Sequence, residues 1–185
     1  MPEYNWKNYL DKALAYHGHM CSGLILGLRL VLKGLELLDL NPDEPQRDLM
    51  IFIETNRCLA DAAYVVTGIT LGRRRIIVYD FGQAAMTFLS LNTNRAFRVA
   101  ANSAIRPPKT EKDHAAFWSD YSDEEILSYQ EVSVELKPEN LPGKPLKRIR
   151  CPICGEDVTD GREVISNGQE ICRCCAGQAY FKVIK

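Results

Sequence analysis

His17-Gly18-His19-Met20-Cys21-Ser22-Gly23 runs directly into Leu24-Ile25-Leu26-Gly27-Leu28-Arg29-Leu30-Val31-Leu32. The first seven residues hold two of the chain's three histidines and one of its seven cysteines. Two glycines among them let the backbone turn tightly or approach a ligand closely. In the second part, apolar residues recur at 24, 28, 31, 35 and 38, the spacing of a buried helical stripe. Arg29, Lys33 and Glu36 are expected on the opposite, polar side of that helix, which is read as continuing to Leu40. The His/Cys cluster thus lies at a helix N-terminus, where free N–H groups and the helix dipole favour a thiolate. Imidazole and thiolate are both ligands for zinc and related metals. A buried cysteine or a histidine near a helix is ordinarily structural; three such groups framed by glycines point to a site.

The 185 residues suffice for one domain with a substantial core plus a small appendage. A net charge of −1 argues against a generic nucleic-acid binder. The long apolar helix carries charges at 29, 33 and 36, so it does not read as a membrane span, and the first residues lack the apolar run of a signal peptide. The expected location is the cytoplasm. The cysteines are unevenly placed. Cys21 and Cys58 are isolated, whereas Cys151, Cys154, Cys172, Cys174 and Cys175 crowd together. An odd number with short paired spacings suits metal binding better than a disulfide framework.

Outward from the cluster, Trp6 to Tyr16 reads as a short amphipathic helix, and Asn41-Pro42-Asp43 ends the long one. Leu49 to Glu54 reads as a buried strand and Leu59 to Val66 as a short helix, with Cys58 and Asp61 three apart on one face. Arg73-Arg74-Arg75 leads into the strand Ile76 to Asp80; the arginines are either an anion-attracting patch or a solvated loop. Met86–Leu91 and Ala96–Ala100 form a hairpin about Asn92-Thr93-Asn94. Ser122-Asp123-Glu124-Glu125 starts a helix, and Val132 to Leu136 alternates like a final strand. Pro138, Pro142, Gly143 and Pro145 make a stiff linker, dividing a core domain at 1–140 from a linker and finger at 141–185.

In the finger, Cys151-x-x-Cys154 and Cys172-x-x-Cys175 form a C-x-x-C pair separated by seventeen residues. Each short turn presents two thiolates to one ion, and four of them complete a closed, structural zinc site. Cys174 competes with Cys175 for the last position; spacing favours Cys172 and Cys175. A hairpin at Asn167-Gly168 and a short helix after Cys175 would make the module treble-clef-like. Its eight Lys/Arg against five Asp/Glu give it about +3, weak support for nucleic acid and equal support for protein docking.

The core pattern His17-Gly18-His19-x-Cys21-x-Gly23-x-x-x-Gly27 resembles the opening motif of the FmdE family, the FmdE component of formylmethanofuran dehydrogenase. Glu54-x-x-x-Cys58-x-x-Asp61-Ala62, Gly68-x-Thr70-x-Gly72 and Asp80-x-Gly82-Gln83-x-Ala85-x-Thr87-Phe88 resemble its further motifs, departing at Gln83 where a lysine is expected. The resemblance spans about residues 10 to 136. It implies an α+β fold, a mixed sheet of about five strands flanked by helices, to which the sequence adds the treble-clef-like zinc finger. It also implies a metal or active site between the first two motifs and association with molybdenum- or tungsten-dependent formylmethanofuran oxidation or a related anaerobic redox complex. The expected site residues are His17, His19, Cys21, Cys58 and Asp61. Cys151, Cys154, Cys172 and Cys175 are the expected Zn2+ ligands, and a second metal is expected in the core. Two functions follow. One is a metal-binding accessory protein, acting as a homodimer or within a larger redox complex. The other is a stand-alone enzyme using the core His/Cys site, either through a metal with one open position or through thiol–disulfide exchange between Cys21 and Cys58. Nucleic-acid or protein binding by the finger is a third reading.

Overall fold

The computed structural model describes residues 4–184 and divides the chain into two compact units, Met1–Glu135 and Leu136–Lys185. In the first unit a 3-10 turn, Trp6–Tyr9, leads into α1 (Leu10–His17), α2 (Ser22–Leu37), β1 (Leu49–Ile53) and α3 (Leu59–Thr67). Next come β2 (Ile76–Val78), β3 (Ala85–Ser90), β4 (Ala96–Ala101), α4 (His114–Ser119), α5 (Asp123–Ile126) and β5 (Leu127–Val132). The sheet is mixed, in the order β2-β1-β3-β4-β5, with β1 and β2 parallel and every other pair antiparallel. The class is α+β with a five-stranded mixed sheet. No helix among the described residues is long and apolar enough to cross a membrane.

β1 and β3 are buried at every position; β1 accordingly reads as a continuous apolar run, while β3 also buries the hydroxyls of Thr87 and Ser90. Register aligns Ile51, Phe88 and Phe97 in one cross-strand row and Ile53, Met86 and Val99 in the next. Both rows belong to the main core, with Leu24, Leu28, Val31 and Leu35 of α2 and with Ala62, Val65 and Val66 of α3. Two glycines set how closely α2 packs. A Cβ at Gly34 would lie 2.2 Å from the Phe88 ring, and one at Gly27 would lie 2.7 Å from the Leu59 carbonyl oxygen. The backbone of α2 therefore rests on the sheet at one turn and on α3 at another.

Three expectations need correction. Arg29 and Lys33 are buried, not solvated: Arg29 donates to Asp123 Oδ1 and to the Trp118 and Tyr121 carbonyls, pinning the α4–α5 connection to α2. Lys33 donates to Glu36 at 2.8 Å. Helical spacing locates a cation but not the acceptors that arrive some ninety residues later. The last strand runs over Leu127–Val132 rather than from Val132, because the Ser122 capping box opens only a four-residue helix before the chain extends. The long helix ends at Leu37, short of Leu40.

The second unit has two small hairpins, β6 (Arg148–Arg150) with β7 (Asp157–Thr159) and β8 (Val164–Ser166) with β9 (Gln169–Ile171). A single helical turn, Cys174–Gln178, closes it and is broken where Gly177 takes φ 81°.

Substituting Gly34 by alanine forces a methyl into Phe88 and is expected to cost about 1–3 kcal/mol in urea unfolding. Gly72→Ala, where a Cβ would meet open space, is the matched control and leaves the midpoint in place. Equal stability of the two variants would refute the close approach of α2 to the sheet.

Candidate metal centre

The junction of α1 and α2 is built to double the chain back. Gly18 adopts φ 88°, capping α1 with its N–H on the Leu14 carbonyl, and so projects His17 and His19 to one side. Cys21 is the N-cap of α2 and accepts the Leu24 N–H at 3.4 Å. Cys58 holds the N-cap position of α3. Gly23 makes their meeting feasible, since a Cβ there would be 3.2 Å from Cys58 Cβ and 3.9 Å from both sulfurs.

The result is a donor cluster. His17, His19, Cys21 and Cys58 each offer one ligand atom, and all four atoms lie within 4.8 Å of one another. His17 Nε2 stands 3.8 Å from Cys21 Sγ. Edges of a tetrahedral N/S site measure about 3.4–3.8 Å for the usual metal–ligand bond lengths, so the residues present fit such an ion with small adjustments. Asp61 does not join the set; its carboxylate meets His17 Nδ1 at 2.7 Å. That contact fixes the imidazole so that Nε2 turns toward the sulfurs, the carboxylate–histidine arrangement found behind metal ligands. His19 is exposed, while the other three donors are partly buried.

The helix N-terminus does not win the thiol of Cys21. Burial raises its pKa above the ordinary value, the Leu24 N–H opposes this, and Cys58 adds to the rise. The expected thiolate stabilisation is therefore reversed in the free protein, and a cation would supply what the dipole does not.

His114 reads from the sequence as part of an irregular segment. The structure brings its Nδ1 within 3.1 Å of Ser22 Oγ, one residue from Cys21, so all three histidines gather at this end of α2. No local pattern signals a contact spanning ninety-two residues. Glu54, four residues before Cys58, has an anchoring role: Arg98 grips it through two 2.7 Å bonds, and its carbonyl accepts from Phe81 and Gln83.

In the second unit Cys151, Cys154, Cys172 and Cys175 bring their sulfurs within 4.8 Å, with Cys154 and Cys172 3.7 Å apart. Cys174 is exposed and outside the set. The Cys172 N–H donates to Cys151 Sγ at 3.4 Å and the Cys175 N–H to Cys172 Sγ at 3.3 Å. Backbone donors from Cys172 and Cys154 pull Cys151 down to about 6, while the neighbouring Cys172 thiol pushes Cys175 well up. One thiolate is favoured here without a cation, and several only with one. The buried apolar residues of this cluster are Cys151, Ile171 and Cys172, too few to hold the unit by hydrophobic burial.

The molybdenum formylmethanofuran dehydrogenase operon family, FmdE, matches residues 16–140. The chain belongs to the FmdE family. A crystal structure of a tungsten formylmethanofuran dehydrogenase FmdE-like protein from Syntrophus aciditrophicus shares the fold, with a TM-score of 0.63 at 23% identity, covering 97% of this chain and 96% of that one. A probable S-adenosyl-L-methionine-binding protein of Archaeoglobus fulgidus is 28% identical over 211 residues, covering 99% of this FmdE chain. The chain spans 56% of the length of that relative.

Cys172→Ser is expected to strip the metal from Leu136–Lys185 and abolish amide-exchange protection there, leaving Met1–Glu135 protected. Cys174→Ser should change neither. Full metal content in Cys172→Ser would overturn the ligand set.

Proposed function

We propose that this FmdE protein is a metal-carrying accessory component associated with a molybdenum- or tungsten-dependent formylmethanofuran dehydrogenase or a related redox complex. The observation that carries the reading is the convergence of His17, His19, Cys21 and Cys58 within 4.8 Å, backed by Asp61 on His17. Family membership and the shared fold of the FmdE-like Syntrophus aciditrophicus protein support the association. A two-nitrogen, two-sulfur donor set is borderline-soft and suits Zn2+ above magnesium or calcium. The four thiols of the second unit would hold a structural Zn2+.

Within the core site each side chain has a distinct task. Cys21 and Cys58 would supply negative charge once an ion is bound, and the ion would then tie the N-terminus of α2 to that of α3. His17 is held by Asp61 and is the fixed nitrogen donor. His19, exposed and without a bond of that kind among those described, is the donor that can be replaced by an incoming ligand. A zinc ion held by these donors would supply Lewis-acid chemistry beside His19. The exposed His19 imidazole also supports a second reading, a stand-alone enzyme, in which His19 carries a proton.

Anaerobically purified full-length protein is expected to carry two metal ions per chain. Cys58→Ser should retain one, held by the second unit. Asp61→Asn should retain two but lose about 10–100-fold in core affinity against a competing chelator. A wild type with one ion, lost in Cys172→Ser, would leave the core without a metal and remove the basis of the proposal.

A further inference from the structure

α2 buries two cations, and only one of them has a task in the fold. Arg29 pins the α4–α5 connection. Lys33, one turn further along, is 7% exposed, and its one hydrogen bond among the described residues stays within α2, to Glu36 at 2.8 Å. Glu124 stands 3.9 Å away, too far for a hydrogen bond, and the Tyr129 ring centre lies at 5.9 Å. An ammonium carries three donors, so two of them have no acceptor among the described residues. Burial works against the charge, yet Glu36, with Asp123 and Glu124 adding to it, outweighs that effect and raises the pKa above the ordinary lysine value. Lys33 is thus a buried charge with unused donors, at a position where an apolar side chain would carry no desolvation cost.

The ammonium is not sealed in. Lys33 lines a cavity of about 790 Å3, within the size range of small-molecule sites. α2 contributes the helical face at 29, 32, 33 and 36, the N-terminal turn contributes Trp6, and the α4–α5 connection contributes Tyr121 and Glu124. Charge decides what fits there. Arg29 is already matched by Asp123 and two carbonyls, and the exposed Lys7 lies 5.7 Å from the Trp6 ring. Lys33 is therefore the recessed cation, and Glu36, Asp39 and Glu124 are carboxylates around the same space. The Glu36 and Glu124 side chains are 52% and 72% exposed, so both can turn toward a ligand. A simple anion would meet Lys33 together with three like charges. A simple cation would be repelled by Lys33 and leave its donors unused. An α-amino acid carries its carboxylate and its ammonium on one carbon, so the two can meet Lys33 and Glu124 together. Trp6, Leu32 and Tyr121 supply apolar and aromatic surface for its side chain.

We propose that this cavity binds an α-amino acid with a large apolar side chain, Lys33 receiving the carboxylate, Glu124 the ammonium, and Trp6, Leu32 and Tyr121 the side chain. None of these residues is a donor of the core metal cluster, so the site stands independently of the function proposed for that cluster.

Isothermal titration calorimetry of the full chain with L-phenylalanine tests this, with 3-phenylpropionate and 2-phenylethylamine as probes that each lack one charge. L-phenylalanine is expected to bind at one site per chain, and each singly charged probe about tenfold more weakly or worse. Lys33→Met should weaken both L-phenylalanine and 3-phenylpropionate. Glu124→Gln, a change at an exposed side chain, should weaken L-phenylalanine about tenfold and leave 3-phenylpropionate where it was, with unchanged circular dichroism. It decides the matter should Lys33→Met fail to fold. Absence of L-phenylalanine binding, 3-phenylpropionate binding as tightly as L-phenylalanine, or an L-phenylalanine affinity indifferent to Glu124→Gln would each overturn the inference.

Discussion

The close approach of α2 to α3 is the constraint on which the rest of the first unit depends. Gly27 lets α2 lie against Leu59 and Ala62, and Gly23 lets its first turn come up to Cys58. Any side chain at Gly27 would push the helices apart near the N-termini that carry Cys21 and Cys58. A shift of about 1 Å there is enough to spoil a metal's ligand geometry. Packing and chemistry are thus joined: the dense core that stabilises the domain also holds the donors in place.

Around that contact, the remaining elements act as supports. The β1 strand leads into Glu54, which Arg98 holds, so the loop that runs on to Cys58 starts from a fixed point. Arg29 fastens the α4–α5 connection, and α4 in turn presents His114 to Ser22 beside Cys21. Burying the Arg29 guanidinium costs desolvation, offset by its bonds to one carboxylate and two carbonyls. The second unit follows a different logic. With almost no apolar interior, it relies on four sulfurs and on surface pairs such as Lys147 with Glu163 and Glu170.

Much of this is legible in the sequence, and what is not shares one cause. The continuous apolar run of β1, the hairpin about Asn92-Thr93-Asn94 and the apolar stripe of α2 are local patterns, and they place the sheet and its main helix. The four motifs that resemble FmdE point to the cluster residues, since glycines and ligands there have fixed spacing. Arg29 and His114 escape such a reading because their partners are long-range contacts that no window contains. The helix N-terminus alone predicts a stabilised Cys21 thiolate, whereas burial and Cys58 reverse the sign. The β5 boundary is displaced because a good capping box says where a helix begins, not how soon it stops.

The mixed nitrogen–sulfur metal site proposed for the core can be read from the ligand shell of a bound ion. Zinc-edge X-ray absorption on the protein carrying serine at Cys151, Cys154, Cys172, Cys174 and Cys175, which leaves Cys21 and Cys58 as the remaining thiols, reads that shell. Two sulfur scatterers at about 2.3 Å and two nitrogens at about 2.0–2.1 Å are expected. A shell made wholly of light atoms, or no bound zinc in that variant, would contradict it.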